Sequence, residues 1–170
     1  MSKASAFVIP VHDLMHKPGQ MREFDLDIPL DEDFGSPIAA VAAGDALELA
    51  LRLESVHEGI LATGEVDATA KAECSRCLDP LKLPVEVDFQ ELFAYSLQGE
   101  DDYIVQDESI DLEQVIRDAV VLNLPFQPVC SAGCLGLCPE CGVKLAENPD
   151  HAHELPVDSR WSELQNFKKE

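Results

Sequence analysis

The sequence is poor in positive charge. Twelve Lys and Arg stand against 33 Asp and Glu, which leaves a formal net charge of −21 at pH 7. Proteins that bind RNA or DNA directly present a basic surface that neutralises phosphate charge, and no stretch of this chain provides one. The composition therefore argues against direct RNA binding. It favours either a solvated acidic surface or a surface that suits a basic protein partner.

Long hydrophobic runs are also missing. The sequence has no run of about 18 apolar residues, the length that predicts a membrane-spanning helix. The first ten residues, MSKASAFVIP, lack the apolar core of a signal peptide and reach a proline at position 10. Without an export signal we expect a cytoplasmic protein, in which the six cysteines serve as reduced thiols or metal ligands rather than as disulfides.

The residue patterns of common catalytic sites are absent as well. No Gly-rich phosphate loop occurs, no Ser or Cys is placed beside a suitable His and acid, and the carboxylates are dispersed. Redox catalysis by Cys74 and Cys77 would require a helix start that lowers the pKa of the first thiol, whereas the flanking pattern predicts strand, turn and strand. The sequence therefore predicts a protein that is not an enzyme.

The cysteines that are present fall into two short segments. One is the CSRC stretch at residues 74–77, and the other, residues 130–142, reads CSAGCLGLCPECG and contains the remaining four. The Cys-x-x-Cys spacing lets two thiolates bind one tetrahedral ion, and Gly142 supplies the conformational freedom that such a knuckle often needs. Two such pairs with two further cysteines predict metal binding.

The candidate ligands can share metal ions in three ways. The candidates are the six cysteines and two histidines further along the chain: Cys74, Cys77, Cys130, Cys134, Cys138, Cys141, His151 and His153. In the first division, the four cysteines of residues 130–142 close one local site. In the second, the pair of residues 74–77 joins Cys138 and Cys141. In the third, that pair joins Cys130 and Cys134, which leaves Cys138, Cys141, His151 and His153 for a second ion.

We expect at least one site to combine the two segments, because neither segment has another reason to be ordered. Thiolate ligands favour zinc, with an iron–sulfur cluster as the lesser alternative. Four protein ligands fill a tetrahedral coordination sphere and leave no position for an activated water, so the predicted role of the zinc is structural.

Alternating apolar and polar residues predict strands over much of the first ninety residues. Residues 22–28 read as a half-buried strand, residues 47–53 and 60–70 as a long antiparallel hairpin, and residues 81–89 as a third strand. Small residues in the second hairpin strand suggest that another group packs closely over it.

Two helices are predicted in the remainder of the chain. The first has apolar residues at helical spacing, begins with Asp111 as its cap and Gln114 as the capping-box partner, and ends near Asn123 before Pro125. A short C-terminal helix is predicted from Asp158 onwards.

These elements predict an α+β fold: an antiparallel β meander, as an open sheet or partial barrel, packed by one main helix. A cysteine-rich metal-knuckle segment and the short C-terminal helix complete it. We expect residues 1–128 to form the sheet-and-helix core, and residues 129–170 to form the cysteine-rich segment and C-terminal helix, packed on the core as a single domain.

Taken in order, five motifs resemble the YceD family, also called the large ribosomal RNA subunit accumulation proteins. They are CSRCL at 74–78, IDLEQV at 110–115, LPFQPVC at 124–130, GLCPECG at 136–142 and DSRWSEL at 158–164. The resemblance spans roughly residues 20–165, and the last two motifs fit a metal-bearing branch of the family. It implies a role in 23S rRNA accumulation and large ribosomal subunit assembly, and it establishes no catalytic activity. Related sequences of this branch often carry further cysteines near the positions of His151 and His153, and zinc accepts imidazole in place of thiolate.

Two functional hypotheses follow. The first is a non-catalytic factor for 23S rRNA accumulation and large-subunit assembly. It would have a zinc-stabilised fold and would hold a ribosomal protein, or an early assembly intermediate of the large subunit, through its acidic surface. The alternative is a thiol- or metal-responsive regulator of RNA processing, in which loss of a metal ligand is the switch.

Overall fold

The computed structural model describes residues 5–96 and 103–153. These residues form eight strands and one helix: β1 (Val8–Pro10), β2 (Met21–Pro29), β3 (Phe34–Gly35), β4 (Ala39–Val41), β5 (Ala46–Ser55), β6 (Gly59–Glu73), β7 (Pro80–Ala94), β8 (Ser109–Asp111) and α1 (Glu113–Asn123). In this described part of the chain, no helix has both the length and the hydrophobicity that a membrane crossing requires.

The long strands pair antiparallel in one curled sheet of six strands. The order is β2-β5-β6-β4-β3, and β7 pairs with β6 along its other edge. The central strand β6 pairs with β7 over its full length, from Gly59 opposite Ala94 to Glu73 opposite Pro80. Its other edge pairs first with β5 and then, near its end, with β4. Strands β1 and β8 form a separate two-stranded ladder.

The predicted hairpin and third strand are confirmed as β5, β6 and β7. Their alternating apolar residues point to one face and form the core, while the polar residues point outwards. A Cβ added at Gly64 would come within 2.5 Å of the Phe89 ring. Phe89 therefore packs directly over Gly64, which explains the glycine at this position of β6.

Helix α1 packs against β7 and β3. Its buried residues are Val115, Ile116 and Val120, and burying an aliphatic side chain of this size contributes about 1.5–3 kcal/mol. The helix ends at Asn123, as predicted, because Pro125 follows closely.

The predicted start of α1 is wrong by one residue. Leu112 occupies the N-cap position, because Asp111 still belongs to β8. The Asp111 carboxylate accepts a hydrogen bond from the N–H of Glu113 at 3.0 Å. The Gln114 side chain donates to Asp118 at 2.8 Å instead of closing a capping box.

The predicted α+β class is wrong, since the described chain is mostly β and α1 is the only helix within it. Strands β6 and β7 have fifteen residues each, so the curled sheet encloses much of its own apolar face. A helix of eleven residues is then enough to complete the core. The predicted C-terminal helix lies outside the described residues. The division of the chain at residue 129 stays a prediction.

Candidate metal centre

The structure brings the eight predicted ligands together in two groups, in agreement with the third of the three divisions. The first cluster contains Cys74, Cys77, Cys130 and Cys134, and the second cluster contains Cys138, Cys141, His151 and His153. Within each cluster, one donor atom per residue lies within 4.8 Å of the other three. The grouping shows which atoms could share an ion, and ligation itself stays a prediction.

The first cluster joins the tip of the β6–β7 hairpin to the segment that follows α1. Cys74 and Cys77 lie in the turn between the two strands and are both buried. The N–H of Ser75 donates to the carbonyl oxygen of Pro128 at 2.8 Å. The N–H of Cys130 then donates to the Cys74 sulfur at 3.4 Å. These backbone contacts place the incoming segment beside the hairpin tip.

The sulfur separations in the first cluster fit a single tetrahedral ion. The Sγ atoms of Cys74 and Cys134 are 3.9 Å apart, and those of Cys77 and Cys130 are 3.7 Å apart. A disulfide would require about 2.05 Å, and all four cysteines are free. A zinc ion that holds sulfurs at about 2.3 Å in a tetrahedron separates them by about 3.8 Å. The residues present therefore fit zinc.

The thiols of the first cluster differ in their readiness to ionise. The N–H groups of Cys77 and Cys130 outweigh burial and lower the pKa of Cys74 to about 6. The N–H of Asp79 also favours the Cys77 thiolate, but burial and the neighbouring thiols raise the pKa of Cys77 to about 12. Thiols this close together cannot all ionise unless a cation balances their charge.

Asp79 connects the hairpin tip to the segment that carries the second cluster. Its carboxylate accepts a hydrogen bond from the Cys77 thiol at 3.4 Å and pairs with the Lys144 ammonium. Lys144 is the main cause of the lowered pKa of Asp79. Because both side chains are partly exposed, the pair adds little stability. Its effect is to orient the carboxylate beside the Cys77 sulfur.

The second cluster begins at a tight turn. The N–H of Cys138 donates to the carbonyl oxygen of Val143 at 2.8 Å, and the N–H of Gly142 donates to the carbonyl oxygen of Cys138 at 2.8 Å. Gly142 has φ +73°, a left-handed conformation that glycine adopts without strain. The N–H groups of Cys141 and Glu140 favour the thiolate of Cys138 and lower its pKa. The turn therefore presents its N–H groups to the Cys138 sulfur.

The two histidines complete the second cluster. The Nε2 atoms of His151 and His153 lie 3.1 and 3.2 Å from the Cys141 sulfur, and 2.9 Å from each other. A Glu140 oxygen lies 3.7 Å from Nδ1 of His153. Carboxylates commonly occupy this position behind a histidine that binds metal through its other nitrogen.

Close backbone approach also holds the cysteine-rich segment to the hairpin tip. The N–H of Leu137 donates to the carbonyl oxygen of Arg76 at 3.0 Å, and the Arg76 guanidinium donates to the carbonyl oxygen of Cys134 at 3.0 Å. A Cβ added at Gly136 would come within 3.0 Å of the Arg76 carbonyl oxygen. Gly136 therefore permits this contact.

Sequence reasoning missed the outer partners of the clusters, Asp79, Glu140 and Lys144. The signal that could have found them is position, because each lies within three residues of a knuckle cysteine. Asp79 contacts Cys77 and Glu140 lies beside His153, whereas Lys144 acts only through its pair with Asp79.

The outer face of the sheet carries aligned carboxylates. Asp27, Glu48, Asp67 and Glu86 lie directly opposite one another across β2, β5, β6 and β7. The neighbouring row contains Asp25, Ala50, Glu65 and Asp88. All seven acidic residues are exposed, and none of them forms an ion pair among the residues that the structure describes. We call this set the acidic face.

The acidic face destabilises the sheet and borders a cavity. Like charges directly opposite on neighbouring strands destabilise a sheet. Between the carboxylates a shallow cavity of about 440 Å³ lies over Ala50, bordered by Asp25, Glu65 and Asp88 and also by Arg52, whose guanidinium pairs with Glu54. The short Ala50 side chain leaves this space in the second row.

Comparison with known proteins gives relatives along nearly the whole chain. An uncharacterised protein of Mycobacterium tuberculosis (strain H37Rv) is 45% identical over 168 residues, which cover 95% of this chain and 81% of the relative. An uncharacterised protein of Mycobacterium leprae is 37% identical over 167 residues, which cover 94% of this chain and 76% of the relative. An uncharacterised protein of Bacillus subtilis is 25% identical over 173 residues, which cover 94% of this chain and 95% of the relative. No solved structure matches the chain.

A family model also matches the chain. Residues 62–168 match the model described as large ribosomal RNA subunit accumulation protein YceD. The match includes β7, α1, all six cysteines and both histidines of the two clusters. This chain belongs to the YceD family of large ribosomal RNA subunit accumulation proteins.

Proposed function

We propose that this protein is a non-catalytic factor for the accumulation of 23S rRNA and the assembly of the large ribosomal subunit. The observation that carries the proposal is the match of residues 62–168 to a family described by large ribosomal RNA subunit accumulation. That description names an accumulation factor and no reaction. The absence of catalytic motifs from the sequence is consistent with a binding role.

The protein acts through contacts with a basic protein. A surface that carries seven aligned carboxylates without ion pairs in the described chain repels phosphate groups and attracts Lys and Arg. Proteins that bind rRNA are rich in these residues because they neutralise phosphates. The acidic face therefore suits a ribosomal protein, either free or within an early assembly intermediate of the large subunit. Direct RNA binding forms no part of the proposal.

Zinc stabilises the fold in this proposal. Cys74, Cys77, Cys130 and Cys134 would hold it, and the bound ion would supply a cross-link between the hairpin tip and the segment after α1. Four thiolates close the coordination sphere and leave no position for a reactive water. The ion would therefore hold the cysteine-rich segment in place beside the sheet. In this proposal the protein is cytoplasmic, and the reducing cytoplasm keeps the cysteines available as ligands.

The test is deletion of the encoding gene in its own organism, followed by measurement of the ratio of 23S to 16S rRNA and of ribosomal particles on a sucrose gradient. We expect a lower ratio and fewer large subunits, restored by the wild-type chain. A variant of the acidic face, Glu48→Gln/Asp67→Asn/Glu86→Gln, should restore less. The matched control Asp31→Asn/Glu58→Gln/Glu108→Gln removes three exposed carboxylates elsewhere and should restore fully. An unchanged ratio after deletion would contradict the proposal.

One observation favours the alternative function, a thiol- or metal-responsive regulator of RNA processing. Cys141 is exposed and lies beside two histidines, so oxidants can reach it. Reversible release of metal by peroxide, together with altered rRNA processing in the cell, would support the regulator. Zinc that survives mild peroxide, together with co-purifying ribosomal proteins, would support the assembly factor.

A further inference from the structure

The two clusters differ in exposure. In the first cluster Cys74 and Cys77 are buried and Cys130 is exposed, whereas in the second cluster only Cys138 is buried. Cys141 and His153 in the second cluster are exposed. Solvent, chelators and competing ligands therefore reach the second cluster more easily than the first.

The clusters also differ in what holds their ligands. Hydrogen bonds that do not involve the cysteine sulfurs join the two sides of the first cluster. The Ser75 N–H donates to the carbonyl oxygen of Pro128, and the Arg76 guanidinium donates to the carbonyl oxygen of Cys134. Such contacts keep the four thiols together before any ion binds. In a site preorganised in this way, an ion that leaves one ligand is quickly recaptured.

The histidine segment of the second cluster has no comparable attachment. Apart from contacts between the cluster side chains, the described hydrogen bonds of residues 147–153 reach no further than the carbonyl oxygen of Lys144. The others lie within the segment, such as the one from the His151 N–H to the carbonyl oxygen of Asn148 at 3.1 Å. The contacts that draw this segment to the turn are those of the two imidazoles with Cys141 and of His153 with Glu140. The donor atoms therefore converge with little support from the surrounding chain.

The second donor set has its own chemistry. Two thiols and two imidazole nitrogens suit borderline divalent cations such as Zn²⁺ and Co²⁺. The separations between the nitrogens and the Cys141 sulfur, 3.1 and 3.2 Å, are a few tenths of an ångström shorter than the roughly 3.5 Å of a tetrahedral zinc site. A small outward shift of the exposed loop would admit the ion.

We propose that the chain binds two metal ions, one in each cluster, and that the ion in the second cluster is the exchangeable one. The inference rests on the zinc-stabilised fold of the proposed function, and it adds the second ion, its sulfur–nitrogen ligands and its lability. Departure of this ion frees residues 147–153 from the turn. The junction between the hairpin tip and the segment after α1 remains closed, because the first cluster and its hydrogen bonds are untouched.

The test starts from full-length protein purified without chelator, with metal counted by native mass spectrometry and release followed with a colorimetric zinc chelator. We expect two ions per chain, one of them released at least about tenfold faster than the other, the scale on which supporting contacts alter metal sites. The variant His151→Ala/His153→Ala should lose the fast ion and keep the slow one. The control His12→Ala/His57→Ala, at exposed histidines elsewhere, should retain both.

Cobalt substitution reports the ligands directly, because sulfur-to-cobalt charge-transfer absorption grows with the number of thiolates. Loading of the second ion should add less absorption than loading of the first. The variant His151→Cys/His153→Cys should raise the charge-transfer absorption of the cobalt ion in the second cluster and slow its release. This variant tests the site by a gain of thiolate ligands, so its result does not depend on unfolding the protein.

Each outcome decides the inference. One ion per chain, unaffected by the change at both histidines, would overturn the second site and leave the zinc-stabilised fold standing. Two ions released at equal rates would overturn the exchangeable site. Absence of any ion from the freshly purified protein would overturn both the inference and the metal part of the proposed function.

Discussion

Leu78 and Gly142 occupy the same position in two copies of one turn. The N–H of Leu78 donates to the carbonyl oxygen of Cys74 at 2.9 Å, and that of Gly142 donates to the carbonyl oxygen of Cys138 at 2.8 Å. Their φ angles are +60° and +73°. Each follows the second cysteine of a Cys-x-x-Cys pair, but only Gly142 adopts this conformation without steric cost. The surrounding structure therefore holds the first turn in a strained form.

The change Leu78→Gly should remove that strain. The side chain is 59% exposed, so its loss removes little packing, and we expect the free energy of unfolding to rise by up to about 1 kcal/mol. Urea denaturation of the metal-loaded protein measures the change. The companion variant Gly142→Ala should lower the free energy of unfolding by at least about 1 kcal/mol, because it introduces the same strain. A clear loss of stability in Leu78→Gly would show that the leucine packs in a way that outweighs its backbone strain.

Removal of one ligand from the first cluster should destabilise the protein strongly. In Cys74→Ser we expect loss of the slowly released ion and a melting temperature lower by on the order of 10 °C, because structural zinc contributes several kcal/mol to folding. Calorimetry with metal analysis on the same sample measures both quantities. Cys141→Ser serves as the comparison and should lower the melting temperature less. Equal melting temperatures for wild type and Cys74→Ser would contradict a structural metal.

Overpacking at Gly64 should weaken the sheet. A Cβ at this position would lie 2.5 Å from the Phe89 ring, and inserting atoms into a packed core costs about 1–3 kcal/mol. Gly64→Ala should lower the urea midpoint, and the double variant Gly64→Ala/Phe89→Leu should recover part of the loss. Gly133→Ala is the control, because no atom lies within 4 Å of the added Cβ. Additive losses in the double variant would show that the two residues do not compete for space.

Neutralising the acidic face should have opposite effects on stability and on binding. Glu48→Gln/Asp67→Asn/Glu86→Gln removes like charges directly opposite one another, each pair worth about 0.2–1 kcal/mol. The free energy of unfolding should rise by about 1–2 kcal/mol at low salt and by less in 1 M salt. Recovery of ribosomal proteins in a pull-down at low salt should fall. Unchanged recovery would show that the partner binds another surface.

One ion pair predicts a specific response to acid. A hydrogen bond from Lys71 is the main cause that lowers the pKa of Asp45 below its ordinary value of 3.8. A carboxyl whose pKa is lower in the folded state stabilises the fold above its ordinary pKa, and the contribution disappears as the pH falls through the lowered value. Asp45→Asn should therefore lose less stability than wild type between pH 5 and pH 2, measured as the urea midpoint. Lys71→Met should behave like Asp45→Asn, and a difference between them would point to another partner of Asp45.

The strands were predictable because their information is local. Alternation within residues 47–53, 60–70 and 81–89 marks which side chains face the core, and β5, β6 and β7 follow it. The fold class was not predictable in this way, because curling depends on how fifteen-residue strands pair over their whole length. The alignment of four carboxylates likewise depends on register, which alternation alone leaves open.

The candidate site was predictable in its residues and not in their grouping. Spacing shows that Cys74 and Cys77 can bind together, but it does not show which distant pair joins them. The contact between Ser75 and Pro128 decides that point, and it depends on where the chain leaves α1. The predicted N-cap position of α1 was wrong by one residue for a similar reason, because the pairing of β1 with β8 extends through Asp111.

The first cluster joins residues that are 53 and 60 positions apart in the chain. At a synthesis rate of about 5–20 residues per second, Cys77 leaves the ribosome roughly 3–10 seconds before Cys130. During that interval the early pair can hold an ion only loosely or remain open to oxidants. If zinc binds as proposed, its firm capture must wait until Cys130 and Cys134 have left the ribosome, so nascent chains are the stage at which zinc starvation or oxidative stress would do the most damage.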